Sequence, residues 1–206
     1  MAPAKPVTSW RSLRTWPLRA VSARVDPSGL WEVDGVRCSA YASAVRVVGI
    51  DPGLAACGYG VVEADGSHVR ALDSGCWRTK AGIPIELRLV ELYTAASDLL
   101  SRFRPDVVAL EESFVGRDPR VALLVGQVRG AILVSCANAD VECVEYAPAR
   151  VKQAVCGYGR ADKTQMQRMA KTILGLDTTP TPTHAADALA VAICHAQAPP
   201  LLRLAG

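Results

Sequence analysis

The chain has 206 residues, of which 50% are hydrophobic and 21% charged, a balance that fits one domain with a sizeable core and excludes wholesale disorder. Its formal charge of +3 would suggest a nucleic-acid binder, but residues 45–206 hold 17 Lys or Arg against 17 Asp or Glu, so the whole excess lies in residues 1–44 and overall basicity identifies no partner. No apolar stretch is expected to reach the roughly 20 residues that span a bilayer, and the start lacks the continuous apolar run of a secretory signal.

Residues 1–25 carry five basic residues and no acid, and residues 29–44 show no pattern of a folded element. Residues 1–44 are expected to form a disordered N-terminal extension. It reads either as an organelle-targeting segment, which would be similarly rich in Arg and Ser, or as a stretch translated from a misassigned start. The misassigned start is favoured because the domain begins abruptly at Val45, and a chain starting there should fold and keep its activity.

From Val45 the elements follow in order. Val45–Asp51, Gly58–Ala64 and Val69–Thr79 read as three strands of an antiparallel meander, with Gly53 and Asp65-Gly66 supplying the turns. Leu89, Leu92, Tyr93, Ala96, Leu99, Leu100 and Phe103 repeat at helical spacing, which predicts a helix over 85–103 that ends before Pro105. Asp106–Phe114 is apolar on both faces before its glutamates, as expected of a buried central strand. Val121–Ala139 is predicted as a helix, Val141–Tyr146 as a fifth strand, and Ala149–Val155, Lys163–Leu174 and Thr183–Ala196 as helices. The order βββαβαβ followed by helices predicts an α/β protein of ribonuclease H-like arrangement, a mixed five-stranded sheet flanked by helices. The domain is expected over 45–197, with a short tail over 198–206. Seven cysteines, at 38, 57, 76, 136, 143, 156 and 194, include no Cys-x-x-Cys pair; several sit in apolar runs, which reads as thiols in a reducing cytoplasm.

Chemistry concentrates at a few positions. Asp51 ends an apolar strand just before a glycine-rich turn, where it can hold a divalent metal or face a phosphate, although Asp-Pro-Gly is also an ordinary turn sequence. Glu111 and Glu112 close the central strand, and alternation allows only one of them to share a face with the site. Thr183, a plausible N-cap, opens a helix in which His184 and Asp187 stand three residues apart on one face. His184 suits metal ligation or proton transfer. Oxygen-rich ligands with one imidazole suit Mg²⁺ or Mn²⁺ better than structural zinc, and two such ions activate water and stabilise a departing 3′ oxygen in phosphodiester hydrolysis. Arg150, Lys152, Arg160, Lys163, Arg168 and Lys171 face a single acid, Asp162, over residues 149–171, and form the candidate phosphate-backbone surface. Phe114, followed by Arg117 and Arg120, could stack on an unpaired base.

These residues resemble the RuvC family of Holliday-junction resolvases. The resemblance runs over about residues 45–197, through Gly49-Ile-Asp-Pro-Gly, Ser74-Gly-Cys, Arg104-Pro-Asp, Glu111-Glu-Ser-Phe, Gly126-Gln-Val-Arg-Gly, Val151-Lys-Gln-Ala-Val, Lys163 and His184-Ala-Ala-Asp187-Ala-Leu-Ala. It implies a homodimeric, structure-selective endonuclease that nicks opposing strands of four-way junction DNA in recombination and repair, leaving 5′-phosphate and 3′-hydroxyl ends. It implies Glu111 rather than Glu112 as a metal ligand beside Asp51 and Asp187, with His184 as ligand or base and two Mg²⁺ ions for which Mn²⁺ substitutes. It also implies Lys152 and Lys163 near the scissile strand, Phe114 at crossover bases, a RuvA–RuvB branch-migration partner and a bacterial cytoplasmic location. Two other readings compete: a phosphotransferase or ATPase of the actin and sugar-kinase group, which would need a second such domain, and a non-catalytic junction-binding module, which would have no need to gather acids near phosphates. Gly53, Gly58 and Gly60 do not form a dinucleotide-binding fingerprint.

Overall fold

The computed structural model describes residues 44–112 and 118–198, together with three short strands between residues 24 and 39. The chain divides into two compact units, Met1–Tyr41 and Ala42–Gly206. In the first, β1 (Arg24–Val25), β2 (Leu30–Val33) and β3 (Val36–Ser39) form an antiparallel sheet in chain order. The sequence reading placed no element over 29–44, and this is a correction: Val33 pairs with Val36, so the signal was Asp34-Gly35, a dipeptide favoured in two-residue hairpin turns. Residues 1–23 and 199–206, and the expectations made for them, lie outside the described residues, as do Phe114 and Arg117.

In the second unit a five-stranded mixed sheet has the order β6-β5-β4-β7-β8. Its strands are β4 (Val45–Asp51), β5 (Ala56–Asp65), β6 (His68–Arg78), β7 (Val107–Glu111) and β8 (Glu142–Tyr146). The first three make the expected antiparallel meander, and β7 and β8 add in parallel on the other side of β4. The pairing of β5 with β6 is interrupted by a bulge at Val61/Val62. Apolar residues on both faces of β4 and β7 place these strands at the centre, because each face is covered by helices. Val47, Val107 and Ala109 belong to one core, while Val48, Ile50, Val108 and Leu110 belong to the other.

The helices are α1 (Ile85–Phe103), α2 (Pro119–Asn138), α3 (Pro148–Cys156), α4 (Lys163–Ile173) and α5 (Thr183–Ala196). Leu92, Ala96, Leu99 and Leu100 of α1 and Val128, Ile132 and Cys136 of α2 fill the core on one face of the sheet. Residues of α3, α4 and α5 fill the core on the other. The predicted boundaries hold within about three residues. Thr183 is the first helical residue of α5 and not its cap; Pro182 occupies that position without a side-chain cap.

Helix α5 is buried along nearly its whole length, and it lies against the sheet with main chain close to main chain. A Cβ added at Gly49 would stand 2.1 Å from the carbonyl oxygen of Ala188, and one added at Gly58 would stand 2.0 Å from that of His184. Glycine is needed at both positions for this approach, and the alanines at 185, 186, 188, 190 and 192 complete it from the helix side.

Helix α2 departs from expectation. Its 20 residues include an 18-residue window of mean hydropathy 1.5, long and apolar enough to cross a membrane by length and composition alone. Only one face packs on the sheet. The rest of its surface carries Leu123, Leu124, Leu133 and Val134, with Leu123 70% and Val134 54% exposed, and Val121 is exposed in its first turn.

Candidate active site

Strand β4 aims Val47 and Gly49 at α5, so the two-residue period of the strand sends Asp51 to the same side. Strand β7 runs parallel to it with Ile50 level with Leu110, which sets Glu111 beside Asp51. Val107 and Ala109 face the α5 side, so Glu111 does too, and Glu112 is exposed. The choice between the two glutamates, open to periodicity alone, follows from the register.

His184 lies in the first turn of α5, held there by the close approach at Gly58. Its Nδ1 stands 2.8 Å from Asp51 Oδ2. This contact occupies Nδ1 and leaves Nε2 outside it. Asp187 follows one turn later, and ligand atoms of Asp51, His184 and Asp187 lie within 4.8 Å of one another. Glu111 adjoins this group, close enough that its carboxyl and that of Asp51 perturb one another.

Lys163 is the first residue of α4. Asp162 caps that helix by accepting from the Gln165 main-chain N–H, and Gln165 returns the bond in a capping box. From this fixed start Lys163 reaches across to Asp187, with Nζ 2.8 Å from Oδ2. Glu111, Lys152, Lys163 and Asp187 line a pocket of about 240 Å³ with Pro148, Val151, Met166 and Ala190. A larger cleft of about 610 Å³, bordered by Tyr93, Ser97, Arg104 and Asn138, opens near the start of β7, at the opposite end of that strand from Glu111.

Electrostatics at the sheet end are those of crowded acids. Burial raises the Asp51 carboxyl, against the pull of its hydrogen bond to His184. Glu111 is pushed up to about 7, chiefly by burial and then by the charges of Asp51 and Asp187. Lys163 is raised by its hydrogen bond to Asp187. Three carboxyl groups outnumber the two ammonium groups beside them, Lys152 and Lys163. Oxygen donors with a single nitrogen fit a hard divalent cation.

The residues predicted for the site thus divide. Asp51, Glu111, His184 and Asp187 converge, with Lys152 and Lys163 on the adjoining pocket. Arg150 is exposed on α3, and Arg120 is exposed at the start of α2, where its main-chain N–H donates to Asp118 Oδ1 at 2.9 Å. Sequence reasoning missed the clamp on the turn after Asp51: Thr79 Oγ1 donates to the Leu54 carbonyl at 2.5 Å, and Arg88 donates to Thr79 Oγ1 at 2.8 Å and to the same carbonyl at 3.3 Å. Neither residue stands near Asp51 in sequence, so no local motif could reveal it.

The family described as crossover junction endodeoxyribonuclease RuvC matches residues 47–195. A curated relative of that name from Chloroflexus aggregans is 50% identical over 162 residues, covering 79% of this chain and 99% of the relative. The Thermus thermophilus RuvC structure superposes with a TM-score of 0.70 at 40% identity, covering 74% of this chain and 93% of that one. The same protein in complex with a Holliday junction substrate gives a TM-score of 0.69 at 38% identity, with the same coverage. With the ribonuclease H-like sheet in place and the acids gathered at its end, a match over this length shows that the chain belongs to the RuvC family of crossover junction endodeoxyribonucleases.

Proposed function

We propose that the chain resolves four-way DNA junctions by paired, metal-dependent nicks in opposing strands, in recombination and repair, leaving 5′-phosphate and 3′-hydroxyl ends. The observation that carries this reading is the convergence of Asp51, His184 and Asp187, with Glu111 adjoining, in a member of this family. Asp51, Glu111 and Asp187 are the proposed metal ligands. Two Mg²⁺ ions are the proposed complement, with Mn²⁺ able to replace them. Bound there, a divalent metal supplies Lewis-acid chemistry and a more acidic water.

The chain's own residues do the rest. Asp51 orients the His184 ring through Nδ1, so that Nε2 can accept a proton from the attacking water or bind metal directly. Lys152 and Lys163 border the pocket next to the acids, where they attract a phosphodiester that the carboxylates alone would repel. Arg150 and Arg120, with Phe114 and Arg117, are proposed to contact the DNA beyond the scissile phosphate.

A homodimer accounts for the exposed face of α2. Leu123, Leu124, Leu133 and Val134 are exposed apolar side chains away from the core-facing stripe, which a second copy would cover. Gly126 and Gly130 have open space where a side chain would be, so another helix could approach closely. Two sites related by a twofold axis match the two strands to be cut. Family membership makes a RuvA–RuvB branch-migration complex the proposed partner and the bacterial cytoplasm the proposed location.

The test is incubation of the protein with an end-labelled four-way junction and a matching linear duplex, each with Mg²⁺ and with chelator. Symmetric, ligatable nicks in the junction alone, dependent on metal, are expected. Tight junction binding without cutting would instead identify a binding module, and equal cutting of the duplex would remove the structure selectivity.

A further inference from the structure

Arg129, in the segment Gly126-Gln-Val-Arg-Gly, has no part in the chemistry described so far. Its side chain is only 15% exposed, and it points inward from α2. Nη1 donates to the main-chain carbonyl of Glu111 at 2.5 Å, and Nη2 pairs with Glu145 Oε1 at 2.6 Å. We infer that Arg129 is a positioning residue of the active site: by joining the Glu111 main chain to Glu145 of β8, it fixes the end of β7 and hence the direction in which the Glu111 carboxylate meets the metal.

The end of β7 needs such a fixture. Its neighbour β4 leaves the sheet at Asp51 into Pro52, which has no N–H to offer. On the other side, the Glu112 N–H donates to the Tyr146 carbonyl at 2.9 Å, a main-chain bond from the end of β7 to β8. The Glu111 carbonyl takes its donor from a guanidinium instead. A charge-assisted bond is stronger than the neutral one it replaces, and the planar fork of arginine serves both acceptors at once, which a lysine cannot do. The alternation that separates Glu111 from Glu112 gives this anchor its leverage: a twist of the main chain at 111 would swing the carboxylate away from Asp51. Glu145 stands level with Leu110 in the parallel register, so the arginine ties neighbouring strand ends together.

This inference rests on the proposed reading of Glu111 as a metal ligand. Its test compares R129L, R129K and E145Q with the wild type in three measurements: binding of Mn²⁺ alone by calorimetry, the Mg²⁺ dependence of junction cutting, and junction affinity in chelator. R129L should weaken Mn²⁺ binding by about ten- to a hundredfold, the range for loss of a group that orients a ligand, and should raise the Mg²⁺ concentration for half-maximal cutting in step. R129K should fall between R129L and wild type, and E145Q should shift both quantities the same way by a smaller factor. Junction affinity in chelator should stay within twofold throughout. A merely structural role would lower thermal stability without moving the metal dependence, and metal binding within twofold of wild type in all variants would overturn the inference. If R129L fails to fold, R129K and E145Q decide by the same criterion. Failure of the wild type to cut junctions would refute the proposed function, whereas the Mn²⁺ titration would still decide the role of Arg129.

Discussion

Replacing Gly58 with Ala tests how the site is assembled, because the added atom touches none of the proposed ligands' side-chain donor atoms. Its Cβ would stand 2.0 Å from the His184 carbonyl oxygen, 2.5 Å from the carbonyl carbon and 3.1 Å from the His184 Cβ. The strand cannot yield, since Gly58 pairs with Asp51 on one side and Cys76 on the other. The helix end can, since the start of α5 has no side-chain cap. Withdrawing it by about 1 Å would relieve the overlap, and overpacking of this kind costs about 1–3 kcal/mol of stability. The same movement stretches the 2.8 Å contact between His184 and Asp51 and carries Asp187 along. A misplacement of about 1 Å in a catalytic group can cost a hundredfold in rate, so G58A should cut junctions about a hundredfold more slowly at saturating Mg²⁺. Single-turnover cutting of a labelled junction, with junction affinity measured in chelator and folding checked by thermal melting, gives the comparison. Wild-type cutting by a folded G58A protein would refute the view that main-chain contact between α5 and the sheet sets the ligand geometry.

Other outcomes follow from the same site. D51N should leave junction binding in chelator largely intact while lowering cutting by at least about a thousandfold, as removal of a group central to the reaction does; residual cutting near the wild-type rate would displace Asp51 from the centre of the chemistry. With Glu111 raised from an ordinary 4.5 to about 7 in the folded protein, the native state disfavours the ionised form. Through this group the metal-free protein should therefore lose about 2–3 kcal/mol of stability as pH rises from below 4.5 through 7; saturating Mg²⁺ should cancel that slope in denaturant titrations, and E111Q should reduce it without metal, leaving the smaller part due to Asp51. If the proposed dimer forms through α2, L123E or V134E should give a monomer in light scattering and uncouple the paired nicks. A chain starting at Val45 should fold and cut at the full rate, and loss of folding on that truncation would make the extension structural.

The sequence was most legible where one physical rule governed a long stretch. The meander, the 85–103 helix and the buried central strand came from periodicity, and Asp51, His184 and Asp187 from acids and imidazole placed at element ends. What stayed hidden depends on partners distant in sequence. The physical reason for Glu111 over Glu112, which the family resemblance implied and periodicity left open, needed the parallel register with β4, and the value of Gly49 and Gly58 needed the helix lying on them. Lys163, which only the family resemblance distinguished from the other basic residues, is set apart physically by its bond to Asp187, and Thr183 looked like a cap because it is the right residue type one position too late. The apolar length of α2 escaped notice because arginines at 120 and 129 interrupt it, and the β2–β3 hairpin because basic and aromatic residues around it obscured its Asp34-Gly35 turn.

The bulge between β5 and β6 bears on how copies of this protein meet. An 11-residue strand at the margin of a sheet presents main-chain donors and acceptors that could recruit a foreign strand and seed aggregation. The bulge breaks the regular spacing that such a recruit would need, and Arg70, Asp73 and Arg78 put charge along the same margin, with Arg70 paired to Glu63 and Asp73 to Arg102. Strand-by-strand growth is thereby discouraged at β6, which leaves the apolar side of α2 to the proposed dimer, where a helix would meet a helix and the assembly would close at two.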